Sequence, residues 1–423
     1  MAIFKYARIN EAPVYDSVVS GKGKKVINRI LLGTYVQIEN EKDDFFRVST
    51  AGPDGWMKKD DLSDDMFFKV FFLDVGQGDG ILIEVGGLND DKRLKILIDA
   101  GLKDNMLNYL TKWQYSYVKK EEKVHFDYVF ISHFDADHFT GLIKIIENPQ
   151  FTFGEVYHPG IVKFASNQQA YNTILGDTVK IDNTQVLKTI FSDLSDITPK
   201  SELNQGISAL VEAIKNAKAE RRLKSVSKIK AGTIPLNLRI EGNDLKVEVL
   251  APFTDNIDGE ETCVYFGDEG KTINGHSLVL KFTYGNRTFL FGGDLNADAE
   301  NYISKKYTPD NPFEVDVAKA CHHGSSDFTT DFMALVNPFA TVISSGDNEA
   351  YAHPRADAIG CAGKYARGIR PLVFSTELAR SVDLRTKRIL YGLINLRCDG
   401  TDIFISQMKE KHTGGNVWDS YKI

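Results

Sequence analysis

Residues 132–142 read SHFDADHFTGL, directly after the apolar run FDYVFI, and place His133, Asp135, Asp137 and His138 within six positions of a chain that has only 9 histidines. Ionisable groups left without partners at the end of a buried strand would cost several kcal/mol each. A bound metal ion is the most economical compensation. His133, Asp135 and Asp137 alternate, so an extended or tightly turned backbone sends them to one side, and a bend after Asp137 lets His138 face a second ion. Imidazole and carboxylate are donors suited to zinc, manganese or iron.

The other histidines that could join them also lie near the ends of apolar runs. His276 precedes SLVLKF, His322 and His323 follow VDVAKAC, and His353 sits in the turn YAHP. Asp294 closes TFLFGG, where a buried carboxylate is strained without a cation and becomes a natural bridge between two. For His276 and His353 taken singly, an ordinary hydrogen-bonded histidine is the competing reading. Ser325, Ser326 and Arg355 flank these segments as candidate contacts for a substrate phosphate, against helix capping for the serines and a plain surface charge for the arginine.

These residues need strands to aim them. Residues 1–64 read as short strands with turn chemistry between them, spaced as in a small barrel. Beyond them FKVFFLDVGQGDGILIEVGG reads as strand, glycine turn, strand, and LKILIDAG as another strand ending at Asp99. GQGDG is not a nucleotide loop, because ILIEV continues as a strand where a dinucleotide loop must open a helix. Residues 151–235 read as mostly helical, with GISALVEAIKNAKAERRLKS the clearest helix. Strands followed by helices through the rest predict layered α/β packing. Between Lys215 and Lys230, seven basic residues face one acid, Glu220, which suits a phosphate-tracking surface or a solvated helix face.

Composition adds limits. The chain has 423 residues, 42% hydrophobic and 26% charged, enough for a substantial core, and its formal net charge of −7 gives no general attraction for nucleic acid. Cys263, Cys321, Cys361 and Cys398 lack paired spacing and are expected as free thiols. No apolar run has the length of a signal or a membrane span, so a cytoplasmic protein is expected.

In this order LIDAG, SHFDADHFTGL, FGGD and CHHGS resemble the metallo-β-lactamase superfamily. FLDVGQGDGILIEV, SHFDADH, FLFGGDLNADAE, VAKACHHGSS and YAHP are more closely similar to the hydrolase domain of ComEC-type DNA-uptake proteins, whose long membrane portion has no counterpart here. GTYVQI, FFRV and GWMKKDDL resemble a bacterial Src-homology-3-like domain. The resemblance implies an α/β fold, a four-layer αβ/βα sandwich over 66–423 with a helical insertion at about 151–235, preceded by an all-β barrel over 1–64. It implies two divalent ions, zinc or manganese. His133 and Asp135 would hold one, Asp137, His138 and His323 the other, and Asp294 would bridge; His276 falls near a further ligand position, and Asp99 would buttress the loop. Aspartate at 135, where many superfamily members have histidine, moves the preference towards manganese.

The expected activity is that of a metal-dependent phosphodiesterase, a nuclease on DNA with single strands favoured. Water held by two ions about 3.5–4 Å apart attacks phosphorus, with Asp137 taking its proton and His322 or His353 protonating the departing oxygen. The same ions suit hydrolysis of a carboxylic ester, lactone or amide. A non-catalytic scaffold with a structural metal is the third reading. Expected partners are a nucleic acid or other phosphodiester, and a protein or peptide for the N-terminal barrel.

Overall fold

Along the strand Phe68–Phe72 every residue is buried, yet alternation still sorts them: Phe68, Val70 and Phe72 face one apolar cluster and Phe71 another. A strand buried on both faces must be covered on both, and the computed structural model shows how. It describes residues 3–88, 93–197, 202–346, 351–377, 381–383, 388–409 and 414–423.

Two large sheets carry the chain beyond the first 64 residues. The first has nine strands in the order Leu223–Lys228, Phe151–His158, Val124–Phe130, Leu94–Ala100, Gly80–Val85, Phe68–Phe72, Ile394–Cys398, Ile403–Met408, Trp418–Lys422. The second has seven, in the order Leu236–Ile240, Asn243–Ala251, Val279–Tyr284, Arg287–Phe291, Val317–Lys319, Ala340–Ile343, Leu372–Ser375. Phe68, Ile83, Ile96 and Phe130 of the first sheet pack with Val247, Phe282, Phe289 and Val342 of the second in one cluster. On its other face the first sheet buries Phe126, Val129 and Phe153 with Leu142 and Ile145 of helix Ala136–Glu147 and Leu210 and Ile214 of helix Gln205–Ala219. The second sheet buries Leu290 and Ala318 with Ile303 of helix Ala297–Tyr307 and Phe332 of helix Thr330–Val336.

The motif loops follow strands in the parallel parts of these sheets. Leu94–Ala100 pairs parallel with Val124–Phe130, and Arg287–Phe291 with Val317–Lys319, which pairs parallel with Ala340–Ile343. SHFDADH, GGD and CHHGS therefore all leave carboxyl ends of strands, where open α/β sheets place their ligand sites.

Residues 151–235 depart from the helical expectation. Phe151–His158 and Leu223–Lys228 are strands of the nine-stranded sheet, Thr178–Ile181 and Thr184–Leu187 form a hairpin, and Gln205–Ala219 is the long helix among the described residues. That helix has the strongest periodicity in the region and dominates its sequence pattern. The sheet runs through the segment that reads as an insertion.

Among the first 64 residues, seven strands between Ile3 and Ser63 form a separate sheet over a core of Ala7, Val14, Val36, Val48 and Met57. Trp418 Nε1 donates to the Arg29 carbonyl at 2.7 Å and Asn10 Nδ2 to Ser420 Oγ at 2.7 Å, tying this unit to the last strand of the nine-stranded sheet. Among the described residues no helix is long and apolar enough to cross a membrane. All four cysteines are free thiols.

Candidate metal centre

Helix Ala136–Glu147 begins four residues after Ser132, so Asp137 and His138 lie in its first turn. The glycine turn GQGDG packs against that turn. A Cβ at Gly78, where φ is +103°, would fall 1.6 Å from the Asp137 carbonyl oxygen, so only glycine permits the approach. Gln77 Nε2 then donates to Asp137 Oδ2 at 3.0 Å. Three non-glycine residues of the site take left-handed backbone, Asp99 (φ 55°), His322 (φ 47°) and His323 (φ 53°). Such conformations cost free energy and persist where the surrounding packing enforces them.

The imidazoles are held in one protonation pattern by their neighbours. His323 Nδ1 lies 3.1 Å from the Ser344 carbonyl, which can only accept, so Nδ1 carries the proton and Nε2 presents a lone pair. His138 Nδ1 donates to Asp99 Oδ2 at 2.9 Å, with the same result. The Ser132 hydroxyl gives its proton to Asp99 Oδ2 at 2.5 Å, and His133 Nδ1 lies between the hydroxyls of Ser132 at 3.0 Å and Ser277 at 3.3 Å. The Nε2 atoms of His138 and His323 are thereby left as donors of electron pairs, and His133 Nε2 has no hydrogen-bond partner.

Two of these atoms converge on a carboxylate. His138 Nε2 and His323 Nε2 are 3.1 Å apart, and each is 3.2 Å from an oxygen of Asp294. Asp137 Oδ2 is 3.8 Å from His323 Nε2. A tetrahedral ion with bonds of about 2.0–2.1 Å sets its ligand atoms about 3.3–3.4 Å apart, close to the observed edges. The donor set fits a divalent cation, and the unpartnered Oδ1 of Asp294 agrees with it.

Asp79, His138, Asp294 and His323 are all buried and each offers a ligand atom within 4.8 Å of the others. Asp79, however, approaches the imidazoles from their Nδ1 side, 3.4 Å from His323 and 4.0 Å from His138, while its Oδ2 is 2.5 Å from Lys319 Nζ. It orients ligands rather than facing the shared centre. Lys319 Nζ also donates to the Gly293 carbonyl at 2.9 Å and lies 3.8 Å from Asp294 Oδ1.

Charge in the site follows these contacts. Burial opposes ionisation of Asp294, but His138 and His323 hold it well below the usual carboxylate range. Burial also opposes ionisation of Asp79, and the Lys319 ammonium outweighs it. For His323 burial favours the neutral ring, yet Asp294 raises it to about 9. His133, which lacks so close a carboxylate, is lowered by burial and by His138 to about 3. A proton shared between two opposed Nε2 atoms or a cation between them satisfies the same lone pairs.

Of the residues expected from sequence, Asp137, His138, Asp294 and His323 come together. His133 lies against His138, their ring centroids 4.1 Å apart. Asp135 is ion-paired with Lys163. His276 does not join the group: its Nε2 donates to the Val264 carbonyl at 2.7 Å and its ring packs on Phe266, because helix Glu269–Gly275 ends immediately before it and turns it away. His322 Nε2 is 3.8 Å from Asp294 Oδ2, and the His353 ring centroid lies 5.8 Å from that of His322, towards solvent. Ser325 Oγ accepts from the Asp327 amide and Ser326 Oγ donates to Asp357, while the Arg355 side chain is exposed at the start of helix Ala356–Lys364. Sequence reasoning missed Gln77, Asp79, Lys163 and Lys319. The signal for Asp79 was an acid in a glycine turn leading straight into the apolar strand GILIEV, and for Lys319 a charge at the end of the strand VAK.

The basic residues of 215–230 are largely matched internally. Lys218 pairs with Asp193, Arg222 with Glu220, Lys224 with Glu155, and Lys228 and Lys230 with Glu261. A phosphate-tracking surface does not follow from them.

No protein-family model matches the chain. Over 82 residues, 19% of this chain, it is 34% identical to ComE operon protein 3 of Bacillus subtilis (strain 168), and the match spans 10% of that protein's length. Among solved structures it is similar to MEM-A1, a subclass B3 metallo-beta-lactamase isolated from a soil metagenome library, with a TM-score of 0.27 and 10% identity, covering 60% of this chain and 79% of that one.

Proposed function

We propose that the protein is a metal-dependent hydrolase of phosphodiesters, a nuclease with single-stranded DNA as the favoured substrate, built on a four-layer αβ/βα sandwich and acting in the cytoplasm. The observation that carries the metal reading is the triangle of His138 Nε2, His323 Nε2 and an Asp294 carboxylate with edges of 3.1–3.2 Å, each imidazole proton being tied up on the far side of its ring. The DNA preference rests on the motifs shared with ComEC-type hydrolases, to which the partial match with ComE operon protein 3 lends support.

His138, His323, Asp294 and Asp137 would hold one divalent ion, zinc or manganese, and His133 with Asp135 a second. Bound there, the ions supply acidity to water and neutralise charge on the phosphoryl oxygens. Asp137, fixed through Oδ2 by Gln77, accepts the proton of the attacking water. His322 and His353, at the more exposed side of the cluster, return a proton to the departing oxygen. Ser325, Ser326 and Arg355 line the approach and bind phosphate. Asp99 and Asp79 keep the imidazoles aimed. The N-terminal unit, read as a Src-homology-3-like barrel, recruits a protein or peptide partner.

The test is metal analysis of the purified protein followed by assays with manganese or zinc on bis-aryl phosphodiester, single-stranded DNA, double-stranded DNA, RNA and a lactone. Metal-dependent cleavage of the phosphodiester and of single-stranded DNA is expected. Lactone opening with inert phosphodiesters would replace this reading by the carboxylic-ester one, and stoichiometric metal without any turnover would leave the scaffold.

A further inference from the structure

The two halves of the expected ligand set are unequally ready. At the inner position the electron pairs of His138, His323 and Asp294 meet, and Lys319 beside them is held by Asp79 and the Gly293 carbonyl, its Nζ 3.8 Å from Asp294 Oδ1. At the outer one His133 Nε2 is unpartnered, while the Asp135 carboxylate is engaged by the Lys163 ammonium. Asp135 stands at the N-cap of helix Ala136–Glu147, where an aspartate ordinarily accepts a backbone N–H of the first turn, yet its side chain makes no capping hydrogen bond. Its carboxylate is turned to Lys163 instead.

Lys163 is presented from a fixed backbone. Its carbonyl accepts from the Asn204 amide at 2.9 Å, the next amide, Phe164, donates to the Ile174 carbonyl at 2.7 Å, and Val162 and Phe164 are buried on either side. The Lys163 and Asp135 side chains are each about a quarter exposed, so the ammonium can leave for water without opening the core. A lysine is a compact point charge on a flexible stem, well suited to such exchange.

We propose that Lys163 is a tethered competitor for the outer cation. The centre then loads in two unequal steps: the inner ion binds without displacing any lysine, and the outer ion gains Asp135 only by displacing the ammonium of Lys163. This inference rests on the metal reading above and adds an order and a regulator to it.

Titration calorimetry of the metal-free full chain with manganese alone tests it. The wild type is expected to bind one ion tightly and a second at least about tenfold more weakly. In Lys163→Met the second step should tighten by about tenfold while the first stays within about threefold, since only the repulsion and competition at Asp135 have gone. Lys163→Arg, which keeps the cation, should retain the weak second step. Two equal steps in the wild type, or a second step unmoved by Lys163→Met, would overturn the inference while leaving the metal reading intact. Failure of wild type and both variants to bind any ion would overturn both.

Discussion

Strand Gly80–Val85 joins two buried charge clusters of opposite character. Near its far end Glu84 is saturated: Lys69 Nζ is 2.7 Å and Gln114 Nε2 3.0 Å from Oε2, and Tyr115 donates to Oε1 at 2.7 Å, with Arg397 nearby stacked 4.5 Å over Phe71. Just before its first residue Asp79 belongs to a cluster that stays incomplete, in which Asp79 Oδ1, Asp294 Oδ1 and His133 Nε2 lack hydrogen bonds. Around Glu84 every acceptor is filled and the atoms left over, Nε and Nη1 of Arg397, are donors that repel a cation, whereas the atoms left over around Asp79 are acceptors that attract one. The contrast separates a structural ion cluster from a binding one without reference to any relative.

The comparison breaks most visibly at Asp294. Asp294→Asn removes the carboxylate between the two imidazoles, and several kcal/mol of transition-state stabilisation go with the ion, about a thousandfold in rate on a bis-aryl phosphodiester. Metal content should fall with it, and the metal-free protein should melt lower as well, because His138 and His323 lose the carboxylate they hold ionised. The same kind of change at the other end should cost stability and leave metal content alone. Glu84→Gln leaves Lys69 buried without its counter-charge and should cost about 3–5 kcal/mol in urea unfolding, with metal stoichiometry unchanged. Burial opposes ionisation of Glu84, but Lys69 holds it at about 2, below its value in the unfolded chain. The pair's contribution is therefore full above about pH 4.5 and lost as pH falls towards 2, so the gap between wild type and variant should narrow over that window.

Smaller effects sharpen the distinction between ligands and the groups that aim them. Asp99→Asn should weaken metal binding by about 10–100-fold through misdirection of His138, with the ion still detectable by calorimetry. The smallest effect on the metal centre is expected at Glu300, which burial pushes up to about 8 although its Oε2 accepts from Thr329. Here the folded state holds its proton above the unfolded value, so stability is full at low pH and declines as pH rises from about 4.5 through 8. Glu300→Gln should flatten that decline in thermal melts at pH 5 and pH 8 and leave metal affinity alone.

Much of the site was legible because strand ends and charged residues coincide in the sequence. SHFDADH, the aspartate after TFLFGG and the histidines after VDVAKAC all lie where apolar runs stop, and the fold brings Asp137, His138, Asp294 and His323 together. Partnerships across long sequence separations were not legible. Asp135 finds Lys163 28 residues on, and Asp79 finds Lys319 on the other sheet. Neither pairing leaves a local pattern. His276 looked like a ligand by its position before a strand, but the turn that ends helix Glu269–Gly275 sends it to a backbone carbonyl. The stretch 151–235 read as helical because periodicity weighs one long helix above strands that owe their place to pairing with distant neighbours.

Strand Phe68–Phe72 has one neighbour close in sequence, Gly80–Val85, and one very distant, Ile394–Cys398. During synthesis its outer edge thus stays bare until more than 300 further residues have left the ribosome. An apolar strand with unpaired amides is a template for other chains. Chains truncated before Ile394 leave this edge unpaired and are expected to pellet as aggregates where the full chain stays in solution.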